Sequence, residues 1–187
     1  MKINNKEVIQ SYILTTAKYD YSVYEKRILY RIIEQLQSLI EGKELNKNYS
    51  MKEFSYDDMK LFKFTFPFSA FKKSEEDKNH AQIKKALLSL EKKGFEYEDS
   101  ETWETINILY LPKVFKNKEY IGFTLREEII QAFLDFSKGY KKYELKTAME
   151  FESTFSMRFY ELLSNQKTPI NYSIDSLKKM FQIENKY

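Results

Sequence analysis

The amino-acid sequence predicts an α+β domain, and three observations carry that expectation. Residues 21–41 place Ile28, Leu29, Ile32, Ile33, Leu36, Leu39 and Ile40 on one side of a helical wheel, which reads as a long amphipathic helix. The run LFKFTF at 61–66 alternates apolar and polar residues, the period of a strand. A second helix-patterned segment at 79–93 leads directly into strand-patterned runs. Helices and antiparallel strands are therefore mixed along one chain.

Residues 7–15, EVIQSYILT, read as a short strand or extended arm against the first helix. That helix opens on Ser22 with Glu25 three residues on, the spacing of a capping box. Its other face takes Arg27, Arg31, Glu34, Gln37, Ser38 and Glu41. Gly42 stops it, and the polar segment 42–52 reads as a loop. Pro67 ends the alternating strand. In the second helix Asn79 stands at the N-cap, Gly94 at the C′ position, and Ile83, Ala86, Leu87 and Leu90 form the apolar stripe. Leu88 lies outside that stripe. Phe95–Glu98, Thr102–Leu111 and Tyr120–Leu125 read as strands, with PKVFKNKE as the turn between the last two. Helices follow at 126–137, at 153–165 with Phe155, Phe159, Leu162 and Leu163 on one face, and at 175–181 behind a Ser173 or Asp175 cap.

Helix, strand, helix and hairpin in that order is the order of a winged helix, whose helix can enter a DNA groove while the hairpin touches the neighbouring backbone. The expected organisation is a first winged-helix domain over 1–147 and the truncated start of a second over 148–187. A recognition helix for the second unit would have to follow Tyr187.

Composition narrows the chemistry. The 187 residues carry 15 Phe, 15 Tyr and one Trp, enough to build a core, and a net charge of +3, which is mildly basic. There is no Cys and a single His, so Cys nucleophiles, Ser-His-Asp triads and most zinc sites are ruled out by residue type. With four Gly and no phosphate-loop or dinucleotide motif, neither an enzyme nor a cofactor is expected. The start is polar, and no apolar stretch approaches about 18 residues, so a cytoplasmic chain without a membrane span is expected. His80 reads as a surface or capping residue, and the adjacent Asp57 and Asp58 as a helix start or exposed loop. Phe62, Phe64, Phe66, Phe68 and Phe71 could stack on single-stranded nucleic acid, but such a stripe is more often the core face of a strand.

Cationic side chains are the better candidates for a site. Lys84, Lys85, Lys92 and Lys93 on the second helix, with Lys116 and Lys118 in the hairpin turn, are the expected phosphate contacts. No Arg lies on that helix, so bidentate reading of guanine by Arg has no donor there. Trp103 and the off-stripe Leu88 are candidate dimer contacts.

Two runs carry a family likeness. VIQSYILTTAKYDYSVYEKRILYRIIEQLQ resembles the opening of iteron-binding plasmid replication initiator (Rep) proteins, and FESTFSMRFYELLSNQ with YSIDSLKKMFQIENKY is similar to the start of their second winged-helix domain. The resemblance implies a protein that binds double-stranded origin DNA at repeated sites (iterons), helps open the duplex and recruits host replication proteins. It implies initiation by monomers and restraint by homodimers, with dimer and phosphate contacts in the first domain. Weak, salt-sensitive DNA binding is expected. A winged-helix transcriptional regulator and a dimerisation module without sequence-specific DNA binding are the alternatives.

Overall fold

The chain opens with strand β1 (Glu7–Ser11), a short helix α1 (Tyr12–Thr16) and the central helix α2 (Val23–Glu41). This computed structural model describes residues 7–16, 20–41, 48–73, 77, 79–98, 103–115, 119–137 and 139–183. The capping box forms as the sequence predicts. The Ser22 N–H donates to Glu25 Oε2 at 2.6 Å and the Glu25 N–H donates to Ser22 Oγ at 3.3 Å, which satisfies two amide donors of the first turn.

The core is built around α2, but not around its apolar stripe alone. Ile28, Ile32 and Leu36 are fully buried, whereas Leu39 and Ile40, assigned to the same stripe, are 49% and 39% exposed. The opposite face is buried too: Arg27, Arg31, Glu34 and Gln37 are each no more than 5% exposed. Tertiary partners make this possible, because a buried polar group is tolerated when it is hydrogen-bonded. Arg31 Nε donates to the Ala70 carbonyl and Arg31 Nη1 pairs with Glu34, both at 2.7 Å. Gln37 exchanges two 3.0 Å hydrogen bonds with the backbone of Ile9, which fastens β1 to the helix.

A four-stranded antiparallel sheet in the order β2–β3–β7–β6 packs on this helix layer: β2 (Ser50–Tyr56), β3 (Met59–Pro67), β6 (Tyr110–Phe115) and β7 (Tyr120–Arg126). β2 replaces the end of the expected loop. From Lys52 onward its side chains are exposed on both faces at the sheet edge, so it lacks the clean alternation that betrays a half-buried strand. Asp57 and Asp58 join β2 to β3 as a two-residue hairpin turn, both at positive φ (48° and 61°), a conformation that short Asp side chains accept. Phe62, Phe64, Phe66, Phe68 and Phe71 are all at most 5% exposed, so this series lines the core. A 3₁₀ turn (Phe68–Phe71) follows β3, and His80 stacks on the Phe68 ring with centroids 4.2 Å apart.

Helix α3 (His80–Lys92) runs directly into a separate hairpin, β4 (Gly94–Glu98) with β5 (Trp103–Asn107). Two expectations change here. The Asn79 side chain makes no cap hydrogen bond, and its carbonyl instead accepts from Gln82 and Ile83. Gly94 follows the Lys93 C-cap at the expected C′ position, but without the left-handed φ of a glycine terminator; it is also the first residue of β4, where a Cβ would stand 2.7 Å from the Ile106 carbonyl oxygen, so close strand approach requires glycine. The single strand expected over 102–111 breaks at the buried Ile108 and Leu109 into β5 and β6. PKVF belongs to β6, not to a turn. Pro112 sits on this edge strand beside a register shift between Tyr110 and Lys113, where Leu111 takes φ 51°.

Helix α4 (Glu127–Leu134) leads to β8 (Tyr140–Glu144), which pairs with β1, and then to α5 (Leu145–Glu150), α6 (Thr154–Leu163) and α7 (Ile174–Phe181). Two lysines of 138–146 are tied into the fold, while Lys146 is exposed. Lys141 is 7% exposed and donates to Gln166 Oε1, and Lys142 pairs with Glu7 at 2.6 Å across the β1–β8 ladder. Ser173 caps α7 as expected, accepting from the Ser176 N–H.

The largest departure is in α6. Phe155, Phe159 and Leu163 remain 40–59% exposed, and the buried side is Met157, Arg158, Glu161 and Leu162. Glu161 is completely buried against α2, 2.5 Å from Lys26 Nζ, and accepts from Tyr30 Oη at 2.6 Å and Gln10 Nε2 at 3.1 Å. Gln10 in turn accepts from Tyr143 Oη at 2.6 Å. Met157 joins the main core, whereas Leu162, Met180 and Phe181 form a small second cluster.

This network sets an alkaline limit on stability. Burial, then the Glu161 charge, push the Tyr30 and Tyr143 phenols well above the ordinary value of 10.0. Burial lowers the Lys26 ammonium below 10.5, against the pull of Glu161. A phenol raised on folding contributes stability that is complete below its unfolded value and lost as pH climbs toward its folded value. A lysine lowered on folding acts in the opposite sense, but only up to 10.5, its unfolded value. Urea-unfolding free energy is therefore expected to fall with pH beyond 10.5, and less steeply in a Tyr143→Phe variant. An equal slope in that variant would refute the assignment.

Candidate nucleic-acid interface

Helix α3 has two distinct sides. Ile83, Ala86, Leu87 and Leu90 recur at three- and four-residue spacing and are at most 3% exposed. That burial fixes the rotation of the helix, so the residues between them must face out. Ala81, Lys84, Lys85, Leu88 and Lys92 are all exposed. Three of the proposed phosphate contacts thus lie along one accessible helical surface, with no carboxylate bound to any of them among the described residues.

Lys93 differs from the other three. Its ammonium lies 2.8 Å from Glu25 Oε1 and also donates to the Asp20 carbonyl, so it ties the end of α3 to the start of α2. Burial works against the Glu25 carboxylate, yet the hydrogen bonds from Lys93 and Ser22 outweigh it and hold Glu25 below the ordinary carboxyl value. The Lys93 charge is balanced within the fold. Lys116 and Lys118 lie outside the described residues.

The two interface candidates are both surface residues: Leu88 is 55% and Trp103 61% exposed. Leu88 interrupts the α3 lysines, and Trp103 opens β5 in the hairpin that follows. Residue type and spacing pointed to α3. They did not distinguish Lys93 from Lys92, because its partner Glu25 is distant in sequence.

A helix delivered straight into an antiparallel hairpin, with its basic side turned outward, is the arrangement of a winged helix. The family model described as "Initiator Replication protein, WH1" matches residues 7–164, and the chain belongs to that family. Among solved structures, it is similar to the one titled "Crystal structure of Pi initiator protein in complex with iteron DNA", with a TM-score of 0.63 and 16% identity over 95% of this chain and 73% of that one. No curated protein matches the sequence. Among the described residues no helix is long and apolar enough to cross a membrane.

Proposed function

We propose that this chain is the DNA-binding and dimerisation part of a plasmid replication initiator, acting on double-stranded origin DNA at iterons. The observation that carries the reading is the outward row Lys84, Lys85 and Lys92 on a helix whose rotation is locked by its buried stripe. Family membership and the fold shared with an initiator solved on iteron DNA support it. Lysine contacts of this kind are point-charge contacts to phosphate. They position the protein and make affinity depend on salt, without choosing sequence. The activity is binding rather than catalysis, and host replication proteins are further partners in this reading. The division into a first winged-helix domain over 1–147 and the start of a second over 148–187 is part of this reading; the 147/148 point falls within α5, whose Ala148 and Met149 pack in the main core with Met157 of α6, while Leu162 of α6 joins the small second cluster.

The test is a salt titration of duplex binding. Lys84→Glu with Lys85→Glu is expected to weaken origin and random duplexes alike, by about tenfold or more at low salt, and to reduce the salt slope by about two. Affinity and slope unchanged in that variant would refute phosphate contact through α3. Leu88 and Trp103 are accessible, as the dimer contacts of this reading require. If Leu88→Asp lowers the sedimented mass while the lysine variant leaves DNA binding intact, dimerisation alone is the role of this surface.

A further inference from the structure

We propose that the open face of the four-stranded sheet is a second nucleic-acid site, a platform for single-stranded DNA. The core-facing Phe series occupies one side of this sheet. The strand register puts a different set on the other side. Lys52 stands directly opposite Lys63, Phe54 opposite Leu61 and Tyr56 opposite Met59. Lys63 continues to Thr124 on β7, and Thr65 to Gly122 and then to Lys113 on β6. No Asp or Glu occupies any outward position of the four strands, and Lys52, Lys63 and Lys113 form no salt bridge among the described residues.

Two like charges set directly across a strand pair weaken a sheet. The Lys52–Lys63 pair is therefore relieved by an anion, which a phosphodiester supplies. Exposed rings stand beside these cations: Phe54 is 42% and Tyr56 67% exposed, and the Lys113 ammonium sits 5.4 Å from the centre of the Phe115 ring. Phe54, Lys63, Lys113 and Phe115 wall a trough of about 660 Å³. Its floor is open at Gly122, where a Cβ would come within 3.4 Å of the Phe115 ring. Lysines that track a backbone beside rings that stack on bases are the two requirements of single-strand binding. A duplex keeps its base faces stacked and cannot use such rings.

A second copy of this chain fits the face poorly, because two-fold pairing would bring the same three lysines of both copies into one interface with no outward carboxylate to balance them. The choice of DNA over RNA rests on the reading of the chain as a DNA replication initiator.

Fluorescence polarisation with labelled oligo(dT) of about 10 nucleotides tests the site. The unaltered protein is expected to bind it saturably at low salt. Lys63→Gln with Lys113→Gln should weaken it about tenfold or more and reduce the salt slope, while Lys63→Arg with Lys113→Arg retains binding. Phe54→Ala should weaken it about fivefold or more with the salt slope unchanged. Lys84→Glu with Lys85→Glu, the variant that tests duplex binding, should leave oligo(dT) affinity intact, so each site succeeds or fails independently. Absence of saturable binding by the unaltered protein, loss in the α3 variant but not in the sheet variants, or tighter binding of oligo(U) than of oligo(dT) would overturn the proposal. So would a fall in sedimented mass in the sheet variants with oligo(dT) affinity unchanged.

Discussion

Glu161→Ala is expected to destabilise the protein by about 3–5 kcal/mol, because it leaves the buried Lys26 without its counter-ion. Tyr30 Oη loses its acceptor in the same step, which adds the penalty of an unsatisfied buried hydroxyl. For a chain of this length such a change lowers the melting temperature by roughly 6–20 °C. The effect is not a measure of what the ion pair contributes. Desolvating two charges opposes their attraction, so replacing the whole cluster with apolar groups is far milder than removing one member. A triple variant, Lys26→Met, Tyr30→Phe and Glu161→Leu, is therefore expected to recover most of the loss in urea unfolding. If Glu161→Ala unfolds within about 1 kcal/mol of the parent, the α2–α6 seam is not held by this cluster.

Phe64→Ala is the second large effect, about 3–5 kcal/mol, from lost burial and the cavity it leaves. Phe64 is fully buried and stacks on both Phe66 and Phe123, with ring centroids 6.1 and 5.8 Å away. Phe54, on the neighbouring strand of the same sheet, is its control. That ring faces water, so Phe54→Ala should change stability by no more than about 0.5 kcal/mol. The pair separates the two sides of the sheet by energy alone, since one ring is structural and the other is available for binding. Comparable losses at the two positions would show that the outer face is packed as well, and would leave no room for a ligand there.

These two residues also show where the sequence was readable. A period of two along 61–66 established that Phe62, Phe64 and Phe66 share a side, and the apolar run of phenylalanines pointed that side to the core. β2 was hidden because an edge strand with both sides exposed has no pattern to follow. β8 was hidden because a lysine-rich strand is held by pairing with β1, more than a hundred residues earlier. Gly94 stands at the C′ position read from the sequence, but the close strand approach that demands glycine there was hidden, because only the Ile106 carbonyl reveals it.

By itself the sequence determined what local periodicity can carry: α2 with its capping box, the buried stripe of α3 and hence its outward lysines, the helix-then-hairpin order, and the family likeness. Tertiary structure alone decided which charges stay available. Lys26, Arg31, Lys93 and Lys141 look in the sequence like the exposed lysines of α3, yet each is held by groups supplied from elsewhere in the fold or the adjoining turn. The physical reason is that a charged side chain records its chemistry in the sequence but not its partner. Burial of a charge depends on that partner arriving in space.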